Sequence, residues 1–297
     1  MIAIVGGLAT AVLWATTLLG SAASARRIGA WSTLAWVMLV GLIVTVPLVV
    51  LTGGSVTLSD RDLFHLAVAG IANTSGLLLV YTALRRGKVA VVGPIVSTEG
   101  AIGAVLAIIA GDTVSGAVLA ILAVIAIGVV MAATERSTGA PDLPGDAVDD
   151  PPEASPPVPS AVMTALFALG AAVLFGLNLY ATSRLAADLP LAWSALPARL
   201  AGVVGVTIPL VLSRRIRLSR PALPIVVVVG LAEVVGVVTF AVAARDSAAI
   251  ASVIASQFAG IAAIAAFLLF RERLSRIQLA GVVVIAGGVA LLAALRA

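Results

Sequence analysis

Three charged side chains lie deep inside long apolar stretches: Glu99, Arg199 and Glu233. A charge at mid-bilayer costs at least ~3 kcal/mol on insertion scales, so it belongs in a bundle interior or a water-filled cavity and points by default to function. The chemistry open to these residues is binding and proton exchange. A carboxylate can accept a salt bridge from a substrate amine, or carry a proton in exchange for the substrate. Arg199 could neutralise one carboxylate or bind a substrate carboxylate, and a zwitterionic amino acid would engage both signs at once. The structural alternative is a buried Glu–Arg pair that fixes helix packing.

Around these charges stand uncharged polar candidates: Asn73, Asn178, Tyr180 and Gln257, with Thr74, Ser75, Ser97, Thr98 and Ser256. Small polar residues within spans often bond a neighbouring helix instead of a substrate. Trp14 and Tyr81 could stack on a substrate or serve as interfacial and packing aromatics. The single histidine, His65, is expected at the membrane surface. The chain has no cysteine, which excludes disulfides, thiolate catalysis and cysteine metal sites. One histidine argues against a Ser-His-Asp triad and a histidine metal site. No catalytic residue, metal or cofactor is therefore expected.

The elements that must position these side chains are transmembrane helices. The 297 residues are 61% hydrophobic and 11% charged, where a soluble domain is about half apolar and a quarter charged. Water would face too much of that surface, and lipid is the solvent that fits. Spans need roughly 20 apolar residues. That length gives ten segments. The first five are Ile2–Gly20, Trp31–Leu51, Leu63–Leu84, Val89–Ala110 and Val114–Ala133. The second five are Ala161–Thr182, Leu191–Leu212, Pro221–Ala243, Ala248–Phe270 and Ile277–Leu295. Continuous runs of this length are helices, because lipid requires each backbone amide to be satisfied within its own segment. The residues before Gly20 lack the basic start of a signal peptide and read as a permanent helix. Glu99 then falls near the middle of the fourth helix, Arg199 in the outer third to middle of the seventh, and Glu233 near the middle of the eighth.

Residues 135–160 break the pattern. Seven of the fourteen prolines and six acidic residues fall there, so the segment cannot bury enough apolar surface to offset its ordering entropy. It reads as an acidic, Pro-rich disordered linker between a first half, 1–134, and a second, 161–297. The halves align at an offset near 160 residues. Gly70-Ile71-Ala72-Asn73 meets Gly230-Leu231-Ala232-Glu233, Thr45-Val46-Pro47 meets Thr207-Ile208-Pro209, and Asp112-Thr113-Val114-Ser115 meets Glu272-Arg273-Leu274-Ser275. An odd number of spans per half makes the halves enter from opposite sides, so the expected fold is an all-α integral membrane protein of ten helices in two inverted five-helix repeats.

The stretch Phe270-Arg271-Glu272-Arg273-Leu274-Ser275, followed by Gln278-Leu279-Ala280-Gly281 and Gly287-Gly288, resembles the EamA-type repeat of the drug/metabolite transporter (DMT) superfamily. So does Tyr81-Thr82-Ala83-Leu84-Arg85-Arg86-Gly87 through Val92-Gly93-Pro94. The first half departs from the pattern with Gly111-Asp112 where the family usually has Gly-Glu. Arg199 matches a basic residue often seen early in the second helix of a repeat, but its first-half counterpart is near Val37. Asp112 and Glu272 themselves read as caps of the following helices. The resemblance implies export or exchange of small metabolites such as amino acids.

The function expected is a secondary transporter of a small metabolite, exporter or exchanger, working by alternating access through a central cavity between the repeats. The alternatives are a multidrug or cation efflux transporter, an intramembrane enzyme and a channel. The partners expected are a small-molecule substrate, membrane lipid and protons, in a monomer or homodimer. Nucleic acid is not expected despite the net charge of +4, because the basic residues sit in short loops where insertion and headgroups account for them. The loops on the side of the termini hold four basic residues, Arg61, Arg184, Arg245 and Arg296, against thirteen on the other side. That asymmetry places both termini outside the cytoplasm, whereas the resemblance implies cytoplasmic termini. The location expected is a bacterial cell membrane, crossed many times, since all basic residues except Lys88 are arginine, as in a GC-rich genome.

Overall fold

The computed structural model describes residues 1–52, 56–86, 89–111, 115–133 and 161–270, with short pieces between 276 and 291. The linker 135–160, the turn residues Asp112 and Glu272 and most of the tenth segment lie outside the described residues. Every described element is helical. They are α1 (Ile2–Ile28), α2 (Ala30–Thr52), α3 (Asp60–Arg86), α4 (Val89–Val96), α5 (Glu99–Ile109), α6 (Gly116–Ala133) and α7 (Ala161–Asp188). A 3₁₀ turn (Leu191–Ser194), α8 (Leu196–Gly202), a π-helical turn (Val203–Thr207), α9 (Ile208–Leu212), α10 (Leu223–Ala255) and α11 (Phe258–Phe270) follow. Among the described residues six helical stretches are long and apolar enough to cross a membrane. Polarity is inverted relative to a soluble fold. Leu51 and Leu212 are 83% and 78% exposed while Arg199 is 0% exposed, as lipid outside and charge inside require.

Local chemistry explains where the helices end and bend. α1 runs on past Gly20 until Gly29, whose φ of 84° only glycine adopts without strain. The fourth expected span is not continuous, because it breaks between α4 and α5. There the Thr98 N–H and hydroxyl both turn back onto the Ile95 carbonyl, at 3.3 and 2.8 Å. A second break separates α10 from α11. The Ser256 hydroxyl and the Gln257 side-chain amide both donate to the Val253 carbonyl, at 2.7 and 2.8 Å. In both places short polar side chains compete with the helix ladder. The eighth and ninth expected spans meet without a loop. A single extended residue, Ser247 (φ −162°, ψ 110°), joins them. The π turn precedes Pro209, which has no N–H to donate and crowds the carbonyl one turn back.

α1 packs along α10, and α3 along α7. Gly236 permits the first contact, since a Cβ there would lie 2.6 Å from Trp14 Nε1. Two sets of bonds tie the ends together. At one end the Ala3 N–H donates to Asp246 Oδ2 (3.0 Å), and Arg245 donates to the Ala186 and Leu189 carbonyls (2.6 and 2.9 Å). The start of α1 and the end of α7 therefore share that end. At the other, Trp36 Nε1 donates to the Arg217 carbonyl and the Arg217 N–H donates to Ser32 Oγ, at 3.0 and 3.1 Å.

Candidate functional site

Helices of both halves bring polar and aromatic side chains to one central cavity. α1 contributes Trp14, Thr17, Leu18 and Ser21, a set spaced i, i+3, i+4, i+7 that forms one helix face. α3 contributes Asn73, Leu77, Val80 and Tyr81 on the same rule, and α7 contributes Phe175, Asn178 and Leu179. Val96 and Glu99 enter on either side of the first break, Phe258 directly after the second, and Glu233 from α10. From Trp14 to Ser21 and from Asn73 to Tyr81 the lining climbs about two helical turns, ~10 Å, towards the end where α1 and α3 finish. Trp14 packs against Phe240 and Phe258, with ring centroids 6.0 and 6.4 Å apart.

The three buried charges have different surroundings. Arg199 Nη2 lies 3.8 Å from Glu233 Oε1, both side chains being buried, and Asn73 Nδ2 donates to the same oxygen at 3.4 Å. Arg199 is not part of the lining. It sits behind Glu233 with Nη1 3.5 Å from Met38 Sδ, in a slot that Gly41 keeps open: a Cβ on Gly41 would lie 2.6 Å from Arg199 Cδ. Glu99 is not at mid-helix. The break makes it the first residue of α5, where the helix dipole favours a negative charge. Among the described residues no cationic side chain lies within salt-bridge distance of Glu99. Trp14 Nε1, Asn73 Oδ1 and Tyr81 Oη are buried in the same lining without a hydrogen-bond partner.

Of the expected site residues, the fold thus brings Trp14, Asn73, Tyr81, Glu99, Asn178 and Glu233 to the cavity, with Arg199 one layer behind. Tyr180 and Gln257 are placed elsewhere. The Tyr180 ring faces His65 (centroids 6.0 Å apart) and the Arg184 guanidinium (5.2 Å). Gln257 is spent on the second break. His65, near the start of α3, is only 6% exposed, with the Phe64 and Tyr180 rings set edge-on to it. Thr17, Ser21, Phe175 and Phe258 also line the cavity, beyond the candidates that residue type alone picks out. The helical spacing from Trp14 to Ser21 was a signal that could have found the first two.

Among the described residues the chain is an all-helical bundle with membrane-length helices and with charge buried beside a central, largely apolar cavity. The model of the EamA-like transporter family matches residues 1–134 and 162–294, and the chain belongs to that family, part of the DMT superfamily, whose members are transporters. A solved structure titled only "Crystal structure of protein" superposes with a TM-score of 0.74 at 18% identity, over 99% of this chain and 96% of that one, and shares the fold. No curated protein matches at a significant level.

Proposed function

We propose that the chain is a secondary transporter that carries a small metabolite by alternating access through this cavity, as an exporter or exchanger in a bacterial cell membrane. The observation that carries the reading is the pairing of the lining residues. Trp14 and Phe175, Thr17 and Asn178, and Leu18 and Leu179 stand at one constant spacing along the two halves, and Asn73 hydrogen-bonds the residue 160 positions on, Glu233. Equivalent residues that meet must lie near the axis relating the two halves. α1 begins where α7 ends, so the first helices of the two halves run in opposite directions. Both features support ten spans in two inverted repeats, related by about 180° around an axis in the membrane plane. The breaks at Ser97–Thr98 and Ser256–Gln257 fall at matching places and provide points at which the helices can flex.

Glu99 supplies the exchangeable charge. A carboxylate there can hold either a proton or a cationic substrate group, which couples the two in opposite directions. Purified protein in proteoliposomes, given an imposed pH gradient and a panel of labelled amino acids and amines, should show saturable, gradient-driven flux above empty vesicles. Flux that rises linearly without saturation would indicate a channel and overturn the reading, as would no flux of any solute.

A further inference from the structure

Two of the three charges inside the spans, Glu99 and Glu233, line the cavity, and of these only Glu99 has no counter-charge among the described residues. Glu233 and Arg199 stand 3.8 Å apart and sum to zero, and Arg199 lies outside the cavity lining. Glu99 lines the cavity and has no cationic side chain within salt-bridge distance among the described residues. An uncompensated carboxylate in apolar surroundings is costly and is relieved by a proton or, in exchange for it, by a cation. The walls are suited to one. Trp14, Tyr81, Phe175 and Phe258 all line the space, and aromatic faces attract cations and stack on planar groups. Asn73 Oδ1 is a buried acceptor without a donor, and the Trp14 and Tyr81 donors lack acceptors; buried polar atoms of this kind call for a polar guest or water.

Resting on the transporter reading above, we propose that the substrate is a small organic monocation, an amine with a planar apolar body and no carboxylate, whose ammonium group pairs with Glu99. The Asn73 carbonyl can accept a second ammonium N–H. A zwitterionic amino acid would bring a carboxylate that needs a cation, and Arg199 is turned away and already neutralised by Glu233. An anion would face Glu99 directly. The cavity therefore discriminates by leaving the wrong charge unpaired.

Phenethylamine, phenylalanine and phenylacetate share one ring and differ in charge, so they test the proposal in the full-length protein. Phenethylamine should raise the melting temperature in proportion to the logarithm of its concentration, and the other two should leave it unchanged. Glu99→Gln should weaken phenethylamine binding, measured by calorimetry, on the order of 30-fold. Asp188→Asn, an exposed carboxylate removed far from the cavity, should not. Phenylalanine binding as well as phenethylamine, phenethylamine causing no shift, or its binding surviving Glu99→Gln would each overturn the proposal. Proteoliposome flux separates this from the transporter reading. Phenethylamine that binds at Glu99 without saturable flux removes the transport reading and leaves the ligand class standing. Saturable flux of phenylalanine but not phenethylamine does the reverse.

Discussion

Glu233 and Glu99 are the same residue type and equally buried, and the fold treats them in opposite ways. Glu233 sits in the run of α10, takes a hydrogen bond from Asn73 and faces Arg199. Glu99 opens α5 at a break, with a helix dipole behind it and no cationic partner among the described residues. The first carboxylate joins α3, α8 and α10; the second is held ready by its helix end. Burial of a charge therefore does not by itself mark a binding group. What separates the roles is whether the protein supplies the counter-charge.

The largest expected effect comes from breaking the joined pair. Arg199→Met or Glu233→Gln alone leaves one buried charge uncompensated and should destabilise the protein by about 3–5 kcal/mol. The double variant should regain most of that loss, read from a double-mutant cycle of melting in lipid nanodiscs. Strictly additive losses would show that the two charges do not act on each other. Next comes Gly41→Ala, whose new methyl would press on the Arg199 stem. An overpacking cost of about 1–3 kcal/mol is expected, and it should shrink when Arg199 is already methionine. Asn73→Ala removes one donor to Glu233 and should cost about 1 kcal/mol. The smallest effect on stability belongs to Glu99→Gln, which should leave the melting temperature unchanged or raise it, because relieving an unpaired functional charge commonly stabilises. A loss as large as that of Glu233→Gln would erase the distinction between the two carboxylates.

Much of the helical layout could be read from the chain. The six long stretches fall on the apolar runs, the last of them, Leu223–Ala255, running from the eighth expected span into the ninth, because a span must satisfy its own amides. The breaks could not be read so. Ser97-Thr98 and Ser256-Gln257 look like ordinary small polar residues within apolar runs, and whether a hydroxyl turns back onto its own helix depends on the neighbour it would otherwise bond. For the same reason Glu99 was expected in mid-helix and lies at a helix start. The gap between the expected spans Pro221–Ala243 and Ala248–Phe270 predicts a short loop; here one extended residue, Ser247, suffices. Trp14, Asn73, Tyr81 and Asn178 reach the cavity because their helix faces turn inwards, while Tyr180, two positions beyond Asn178, is carried to another face by the helical rotation between them.

The sequence alone determined the solvent, the helical class and the small set of charges that needed protein around them, because hydropathy and charge are properties of residues one at a time. Tertiary structure decided which charges meet. Arg199 could have served either carboxylate, and the choice turns on how α8 is rotated against α10 and on the slot that Gly41 leaves for the arginine stem. Coulomb attraction falls with distance and with screening, so a guanidinium placed against Glu233 and away from the cavity balances one carboxylate and leaves the other to its guest.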